Sequence, residues 1–305
     1  MNSILSIKDL EKYYEDSPVL KSINININEG EIYGLLGRNG AGKTTIMKII
    51  LGLTKPTKGK VILLGSDTST DKGKEVLKNV GCIIESPGFY SNLTATENLM
   101  IFAKLRGDSE NSVKEALKLV NLPYNDKKLF GKYSLGMKQR LAIANAIMHK
   151  PKVLILDEPI NGLDPIGIAE VRDLIKSLKE NGTTILISSH ILPELENLAD
   201  RIGIINDGNL IDEINLEEWN SHNEFGVKIY VDKTQEAINL LSKNGVNSEQ
   251  MATFNKGIII KNENVKVSDL NKIFIKNDFE VNGIIEEKIT LEDYFKKVTG
   301  GQGIG

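Results

Sequence analysis

Residues 3–28 alternate between apolar and polar positions, most clearly in Ile23-Asn24-Ile25-Asn26-Ile27-Asn28. A period of two residues is typical of strands with one face in water, and such strands suit an antiparallel sheet at the edge of a fold. Four other segments are apolar at nearly every position, as strands covered on both faces are: residues 31–36, 82–84, 153–156 and 184–187. Because helical patterns separate these four segments, the sequence predicts an α/β fold with a mainly parallel sheet.

Apolar residues recur at helical spacing between about residues 88 and 150, which predicts a helical subdomain inserted into the α/β core. Its helices are predicted at residues 96–105, 112–120 and 135–148. After Trp219 the pattern becomes β-α-β-β-α-β, with strands at 225–231, 251–254, 258–260 and 279–285 and helices at 235–242 and 267–275. We therefore predict a large α/β domain at 1–218, a small α+β domain at 219–299 and a disordered tail at 300–305.

The charge balance argues against nucleic acid as a partner. The 305 residues contain 38 Lys and Arg against 41 Asp and Glu, a net charge of −3. A protein with this charge balance has no strong positive field that would attract the phosphate backbone of a nucleic acid. No window approaches the roughly 18 consecutive apolar residues of a membrane helix, and no secretory signal is visible, so we expect a cytoplasmic protein. The single Cys82 lies in an apolar run and is predicted to be buried.

A glycine-rich run follows the first buried strand and opens an amphipathic helix: Gly37-Arg38-Asn39-Gly40-Ala41-Gly42-Lys43-Thr44-Thr45. Glycines let successive N–H groups approach phosphate oxygens, and the helix N-terminus adds partial positive charge. We predict that residues 37 and 39–45 bind a nucleotide, with Lys43 at the β and γ phosphates and the Thr44 hydroxyl on Mg²⁺. The alternative is a glycine-rich turn with a solvated lysine.

Two carboxylates follow the buried strand at residues 153–156, namely Asp157 and Glu158. A nucleotide site on an open parallel sheet requires a carboxylate at the C-terminal end of a strand. Asp157 is the candidate for Mg²⁺, and Glu158 is the candidate to orient or deprotonate the attacking water. The alternative is that the two acids only cap the segment that follows.

A run between the two nucleotide motifs precedes a predicted helix: Tyr133-Ser134-Leu135-Gly136-Met137-Lys138-Gln139-Arg140. Ser134 is predicted to cap that helix, and Gly136 allows close approach at its N-terminus, which makes a second anion site. Here the chain resembles the ATP-binding subunits of ABC transporters, whose signature is L-S-G-G-Q. It keeps the serine and the second glycine of the signature and departs from it at Tyr133, Leu135 and Met137.

The resemblance covers about residues 4–215 and implies a P-loop nucleotide-binding domain of ABC type that acts as a pair. In such a pair Ser134 and Gly136 face the γ-phosphate held by a second subunit, and the loop ending at Asp164 also touches that subunit. Tyr14 matches the aromatic residue that stacks on adenine, although an ordinary strand aromatic would look the same. His190 matches the switch histidine that contacts the γ-phosphate.

Glu85 departs from the family, which usually places glutamine at this position, where it meets Mg²⁺ and the attacking water. A carboxylate can still bind a hard cation, but it adds negative charge beside Asp157 and Glu158. The hypothesis is that Glu85 remains a metal or water contact and tunes coupling to the membrane subunits. The alternative is a solvated acid in a loop.

Three short stretches resemble the branch of the family that confers resistance or immunity to bacitracin and lantibiotics: residues 85–90, 92–99 and 133–140. This resemblance implies an ATPase that works with a separate membrane permease and lies at the inner face of the membrane through it. A groove beside Glu85, rimmed by Phe89 and Tyr90, is the expected docking place of the permease.

Two other functions remain open from the sequence. A soluble ABC-type ATPase of DNA repair or translation is one, but the chain has neither long heptads nor a second nucleotide domain. A nucleotide-gated regulatory module with little turnover is the other, and the presence of both Glu158 and His190 argues against it. An Asn-Lys-x-Asp guanine reader is absent from the sequence, which disfavours a GTPase.

Overall fold

The computed structural model describes residues 3–85, 88–221, 225–254, 257–261, 265–288 and 290–299. Contacts divide the chain between Leu216 and Glu217 into two compact units, the first and the second unit. The tail predicted at residues 300–305 lies outside the described residues, as do Ser86 and Pro87. Among the helices that the structure describes, none combines the length and the apolar character needed to cross a membrane.

The strands of the first unit form two sheets, one antiparallel and one mainly parallel. They are β1 (Ser3–Tyr14), β2 (Ser17–Asn28), β3 (Ile32–Leu36), β4 (Lys58–Leu63), β5 (Ser66–Asp67), β6 (Val80–Ile83), β7 (Val153–Leu156), β8 (Thr184–Ser189), β9 (Arg201–Asn206) and β10 (Asn209–Asn215). The antiparallel sheet has the order β2-β1-β4-β5. Its alternating positions behave as predicted, because Ile23, Ile25 and Ile27 are buried while the asparagines between them are exposed.

The second sheet has the order β10-β9-β3-β8-β7-β6, and only β10 runs antiparallel to its neighbour. Every residue of β3, β7 and β8 is buried, which explains why their sequences lack alternation. Leu36 pairs with Ser189, and Leu156 pairs with Ile187 and Ile83. The carboxyl ends of four strands therefore meet at one edge, and the segments after them lie side by side.

The edge strand β6 corrects one prediction. Cys82 is exposed rather than buried. An apolar run alone cannot distinguish a central strand from an edge strand, whose outer positions have no neighbouring strand to cover them.

The helices of the first unit cover the parallel sheet and form the inserted helical subdomain. They are α1 (Lys43–Ile50), α2 (Asp71–Val76), α3 (Ala95–Arg106), α4 (Glu110–Leu119), α5 (Leu135–Ile147), α6 (Pro165–Glu180) and α7 (Leu192–Glu196), and α8 (Leu216–Ser221) crosses the boundary between the units. Helices α3, α4 and α5 match the three predicted in the insertion to within two residues. Their starts are set by the caps Thr94, Ser109 and Ser134, whose side chains accept backbone N–H bonds.

The second unit is an antiparallel sheet with helices. Its elements are β11 (Phe225–Tyr230), α9 (Thr234–Lys243), β12 (Met251–Phe254), β13 (Gly257–Lys261), α10 (Val267–Lys276), β14 (Gly283–Lys288) and α11 (Leu291–Val298). The sheet order is β12-β13-β11-β14. One core cluster joins apolar residues of the sheet to Leu241 of α9 and Phe274 of α10.

Two features of the second unit differ from the predicted pattern. The last strand begins at Gly283 rather than at residue 279, because Phe279 packs on Phe274 with ring centroids 5.5 Å apart and closes the turn after α10. Helix α11 was not predicted. Its start carries a Thr-x-x-Asp capping pattern, in which the Thr290 hydroxyl accepts from the Asp293 N–H at 3.1 Å and donates to its carboxylate at 2.7 Å.

Candidate functional site

The glycine-rich run forms a loop between β3 and α1. Gly42, with a φ of 111°, immediately precedes α1, and a Cβ there would lie 2.7 Å from the Leu20 side chain. A Cβ at Gly37 would lie 2.3 Å from the carbonyl oxygen of Ile205. Inside the loop, the Lys43 ammonium donates to the carbonyl oxygens of Gly37 at 2.5 Å and Arg38 at 3.2 Å. The loop thus requires glycine at both positions and encloses one cationic group.

Thr44 and Asp157 lie together where α1 meets the end of β7. The Thr44 hydroxyl donates to Asp157 Oδ2 at 2.7 Å, and the buried Ser188 hydroxyl of β8 donates to Asp157 Oδ1 at 2.6 Å. A hydroxyl beside a carboxylate is a donor set that suits Mg²⁺, which proteins hold through one or two carboxylates together with phosphate oxygens and water. The residues therefore fit the cation that the sequence predicted.

Glu158 is held from three sides. Its backbone has a φ of 48°, a left-handed conformation that costs free energy in a residue with a Cβ, and its N–H donates to the Ser188 hydroxyl at 2.9 Å. Its carboxylate lies 3.3 Å from Lys43 Nζ and 2.8 Å from His190 Nδ1. The side chain is 21% exposed, but its Oε1 atom, which faces Lys43, is buried. This arrangement brings a carboxylate, a lysine and an imidazole to one point.

A second carboxylate lies behind this group. Glu194 of α7 accepts a hydrogen bond from the Ser189 hydroxyl at 3.0 Å. Burial raises the pKa of Glu194, and the charge of Glu158 raises it further against the opposing hydrogen bond from Ser189. Glu194 is therefore easier to protonate than an ordinary glutamate.

The loop opens into a cavity of about 340 Å³, a size that suits a small ligand. Tyr14 is 48% exposed and forms part of the wall, with Lys12 Nζ 4.6 Å from the centre of its ring. The cavity thus joins a phosphate-sized loop to an aromatic surface. The lining residues are Tyr14, Val19, Arg38, Asn39, Gly40, Ala41, Gly42, Lys43, Thr44, Thr45 and Glu158.

Glu85 follows β6 in a left-handed conformation with a φ of 61°. Its carboxylate pairs with Lys48 Nζ of α1 at 2.7 Å and is 69% exposed. The hydrogen bond from Lys48 and its charge lower the pKa of Glu85. Glu85 therefore lies at the same sheet edge as Asp157, but its carboxylate is paired with Lys48 of α1.

Three other predicted nucleotide contacts are not among the residues that line the cavity. Ser134 caps α5 by accepting from the Met137 N–H at 3.3 Å, and Asp164 caps α6 by accepting from the Gly167 N–H at 2.8 Å. Gly136 lies in the first turn of α5 with open space where a Cβ would be. A Cβ on Gly162 would lie 3.3 Å from the Leu135 side chain, so the two segments are neighbours. They form a separate surface at the start of α5.

Comparison with known proteins identifies the family. The family model described as ABC transporter matches residues 20–161. Over 308 residues the chain is 46% identical to the bacitracin transport ATP-binding protein BcrA of Bacillus licheniformis, and the match covers 100% of both chains. This chain belongs to the ATP-binding subunits of ABC transporters. As such it is an ATPase, and the family resemblance and the predicted α/β P-loop fold are confirmed.

Two further matches support the assignment to the ABC ATPases. The lantibiotic transport ATP-binding protein SrtF of Streptococcus pyogenes is 48% identical over 208 residues, covering 68% of this chain and 89% of that protein. A solved dimeric structure of a bacterial ABC transporter cassette is 27% identical, with a TM-score of 0.63, and covers 70% of this chain and 98% of that one. The fold of the first unit is thus that of known ABC cassettes.

Sequence reasoning missed three side chains of the candidate site. They are Lys48, Ser188 and Glu194. Ser188 carried a weak signal, because it is polar and ends a buried strand beside the strand that leads to Asp157. Lys48 carried another, because it follows Thr44 by one helical turn and so lies on the same face of α1.

Proposed function

We propose that this ATP-binding subunit powers the removal of a peptide antibiotic of the bacitracin or lantibiotic type through a separate membrane permease. The observation that carries the proposal is the 46% identity to the bacitracin transport protein over the whole length of both chains. That match includes the second unit as well as the ATPase unit. The named lantibiotic transport relative supports the same class of cargo.

ATP is bound in the cavity around the glycine-rich loop. The N–H groups of residues 37 and 39–45 and the Lys43 ammonium hold the phosphates, and Tyr14 stacks on adenine. Thr44 and Asp157 hold Mg²⁺, and Glu85 completes the site from the loop after β6. When bound, Mg²⁺ neutralises charge on the transferred phosphoryl group.

Glu158 acts as the base for the attacking water, and His190 positions it. The ion pair between Lys43 and Glu158 supports this, because phosphate oxygens compete for Lys43 and release Glu158 Oε1 toward water. The hydrogen bond at His190 Nδ1 then keeps the other carboxylate oxygen fixed. Glu158 thus exchanges a cationic partner for a water molecule as ATP enters.

A second copy of the chain supplies the remaining contacts. Ser134 and Asp164 are exposed, and with Gly136 they lie away from the cavity lining, as residues that serve a neighbouring subunit do. The dimeric cassette that the chain resembles supports a homodimer. Two copies facing each other bring the N-terminus of α5 to the γ-phosphate bound by the partner.

The permease docks beside Glu85 and places the subunit at the cytoplasmic face of the membrane. Phe89 packs edge-on against Phe102 and Phe130, with centroid distances of 5.6 and 5.2 Å, and Tyr90 is 56% exposed. This aromatic cluster offers an apolar surface on which a helix of the permease can pack. We propose no nucleic-acid partner for the subunit.

The decisive variant for turnover is Glu158→Gln. It keeps the shape of the side chain but removes the base, so ATPase activity falls about 100-fold or more and an ATP-bound dimer accumulates on size-exclusion chromatography. Glu180→Gln, an exposed change at the end of α6, is the matched control and leaves both readouts unchanged. A Glu158→Gln variant that hydrolyses ATP normally would contradict the role of the base.

The cargo is tested in cells. Co-expression of the chain with a permease from the same genome raises the bacitracin or lantibiotic concentration that a sensitive bacterium tolerates, and Glu158→Gln abolishes the gain. A pair that hydrolyses ATP but leaves tolerance to both peptide classes unchanged would contradict the cargo and favour a non-transport ATPase.

A further inference from the structure

An exposed ion pair joins the loop after β6 to the helix that follows the phosphate loop. Glu85 Oε1 lies 2.7 Å from Lys48 Nζ, and the Lys48 side chain is 33% exposed. Lys48 lies one turn after Thr44, whose hydroxyl contacts Asp157. The ion pair is therefore on the side of α1 that faces the proposed cation site.

A carboxylate at this place has an electrostatic cost that an amide would not have. Asp157, Glu158 and the phosphates of ATP already concentrate negative charge at this edge of the sheet. Lys48 Nζ, 2.7 Å from the Glu85 carboxylate, supplies a positive charge that offsets it. The positive group that compensates Glu85 thus belongs to the helix that carries Lys43.

Glu85 also has a constrained backbone. Its φ of 61° is left-handed, a conformation that a residue with a Cβ adopts at a free-energy cost unless its surroundings hold it. Among the residues that the structure describes, Lys48 is the one whose side chain contacts the Glu85 carboxylate and helps to hold this conformation.

We propose that Lys48 is a positioning residue for Glu85, holding its carboxylate on α1 in competition with the divalent cation. The inference rests on the proposed function, in which Glu85 contacts Mg²⁺. Cation binding draws the carboxylate from Lys48, so the ion pair opens when the cation site fills. The ion pair consequently weakens cation binding.

The test is a double-mutant cycle on the full-length chain with Lys48→Gln, Glu85→Gln and both together. Binding of Mn²⁺ in the presence of a non-hydrolysable ATP analogue is measured by electron paramagnetic resonance. The Mg²⁺ concentration for half-maximal ATPase activity is the second readout. Lys48→Arg keeps the charge, and Lys72→Gln on α2 is a matched change at an exposed lysine.

Lys48→Gln is expected to tighten Mn²⁺ binding about two- to fivefold, the range that an exposed ion pair supports. In the Glu85→Gln background the same change has less than about half of that effect, because no carboxylate is left to release. Lys48→Arg and Lys72→Gln stay close to the parent protein. These results together would establish the competition.

Two outcomes would overturn the inference. Equal tightening by Lys48→Gln in both backgrounds would mean that Lys48 only repels the cation, and no tightening would mean that the pair does not compete. A parent protein that binds no Mn²⁺ with the ATP analogue would instead contradict the proposed function itself. The parent measurement therefore separates the two failures.

Discussion

The two units differ in where they bury polar groups. In the first unit, hydrogen bonds run from Thr44 to Asp157, from Ser188 to Asp157 and from the Glu158 backbone to Ser188, and Ser188 is fully buried. In the described part of the second unit the buried polar side chain is that of Thr299, just after α11, whose hydroxyl donates to the Phe295 carbonyl at 2.8 Å. The core cluster of the sheet and its helices consists of apolar residues. Both units have a sheet covered by helices, so the difference lies in the side chains at the strand ends and not in the kind of secondary structure.

This difference shows which unit is built for chemistry and which for packing. Burying polar groups stabilises a protein little even when each is hydrogen-bonded, and a left-handed glutamate costs free energy. The first unit bears both costs at the end of β7. The core cluster of the second unit bears neither cost, so packing explains the side chains of that cluster.

The largest expected effect comes from removing the hydroxyl of Ser188. Ser188→Ala leaves the Glu158 N–H without its acceptor and Asp157 Oδ1 without one donor, so neither carboxylate keeps its position. We expect kcat for ATP hydrolysis to fall about 10- to 100-fold, as for residues that orient metal ligands. The half-saturating Mg²⁺ concentration rises with it.

Ser66→Ala is the matched control, because Ser66 is also buried but lies in β5 of the antiparallel sheet. It is expected to leave kcat unchanged. A Ser188→Ala variant with kcat within twofold of the parent would mean that the buried hydrogen bonds do not position Asp157 and Glu158 for hydrolysis.

The second prediction separates packing in the second unit from catalysis in the first. Phe274 is 2% exposed and belongs to the apolar core, so Phe274→Ala should lower the free energy of unfolding of this unit by about 3–5 kcal/mol. Trp219, the single tryptophan, lies in the second unit 5.3 Å from the Tyr294 ring, so its fluorescence reports that unit. ATPase activity below the unfolding temperature stays unchanged.

Ile275→Ala is the control, because the Ile275 side chain, which follows Phe274 on α10, is 76% exposed. It should move the fluorescence transition little. Loss of ATPase activity in Phe274→Ala at a temperature where its fluorescence is native would show that the second unit takes part in catalysis. It would contradict the conclusion that catalysis depends on the first unit alone.

The same division explains what the sequence predicted. Period-two alternation identified β1 and β2, and the spacing of Gly37, Gly42, Lys43 and Thr44 identified the phosphate loop, because both signals are local. Ser188 becomes a partner of Asp157 only when β7 and β8 pair in register, and Lys48 meets Glu85 only when α1 lies near the loop after β6. Those contacts join distant parts of the chain, so no local pattern contains them.

The smallest expected effect concerns the start of α11. Burial raises the pKa of Asp293, but hydrogen bonds from Thr290 and the charge of Lys228 outweigh this and leave the pKa below its ordinary value of 3.8. A lowered pKa means that the folded unit favours the ionised carboxylate. Its contribution to stability is therefore complete above pH 3.8 and is lost as the pH falls through the lower, folded-state pKa.

Asp293→Asn should lower the Trp219 fluorescence melting temperature by a few degrees at neutral pH, because it removes the charge of the carboxylate that accepts from the Thr290 hydroxyl and N–H and pairs with Lys228. The gap from the parent protein narrows as the pH falls below 3.8 and closes below the folded-state pKa, where the parent carboxylate is also neutral. Glu280→Gln, an exposed change before β14, corrects for general effects of charge. A gap that stays constant through that range would show that the charge of Asp293 contributes nothing and that its role is purely one of shape, as in the apolar core.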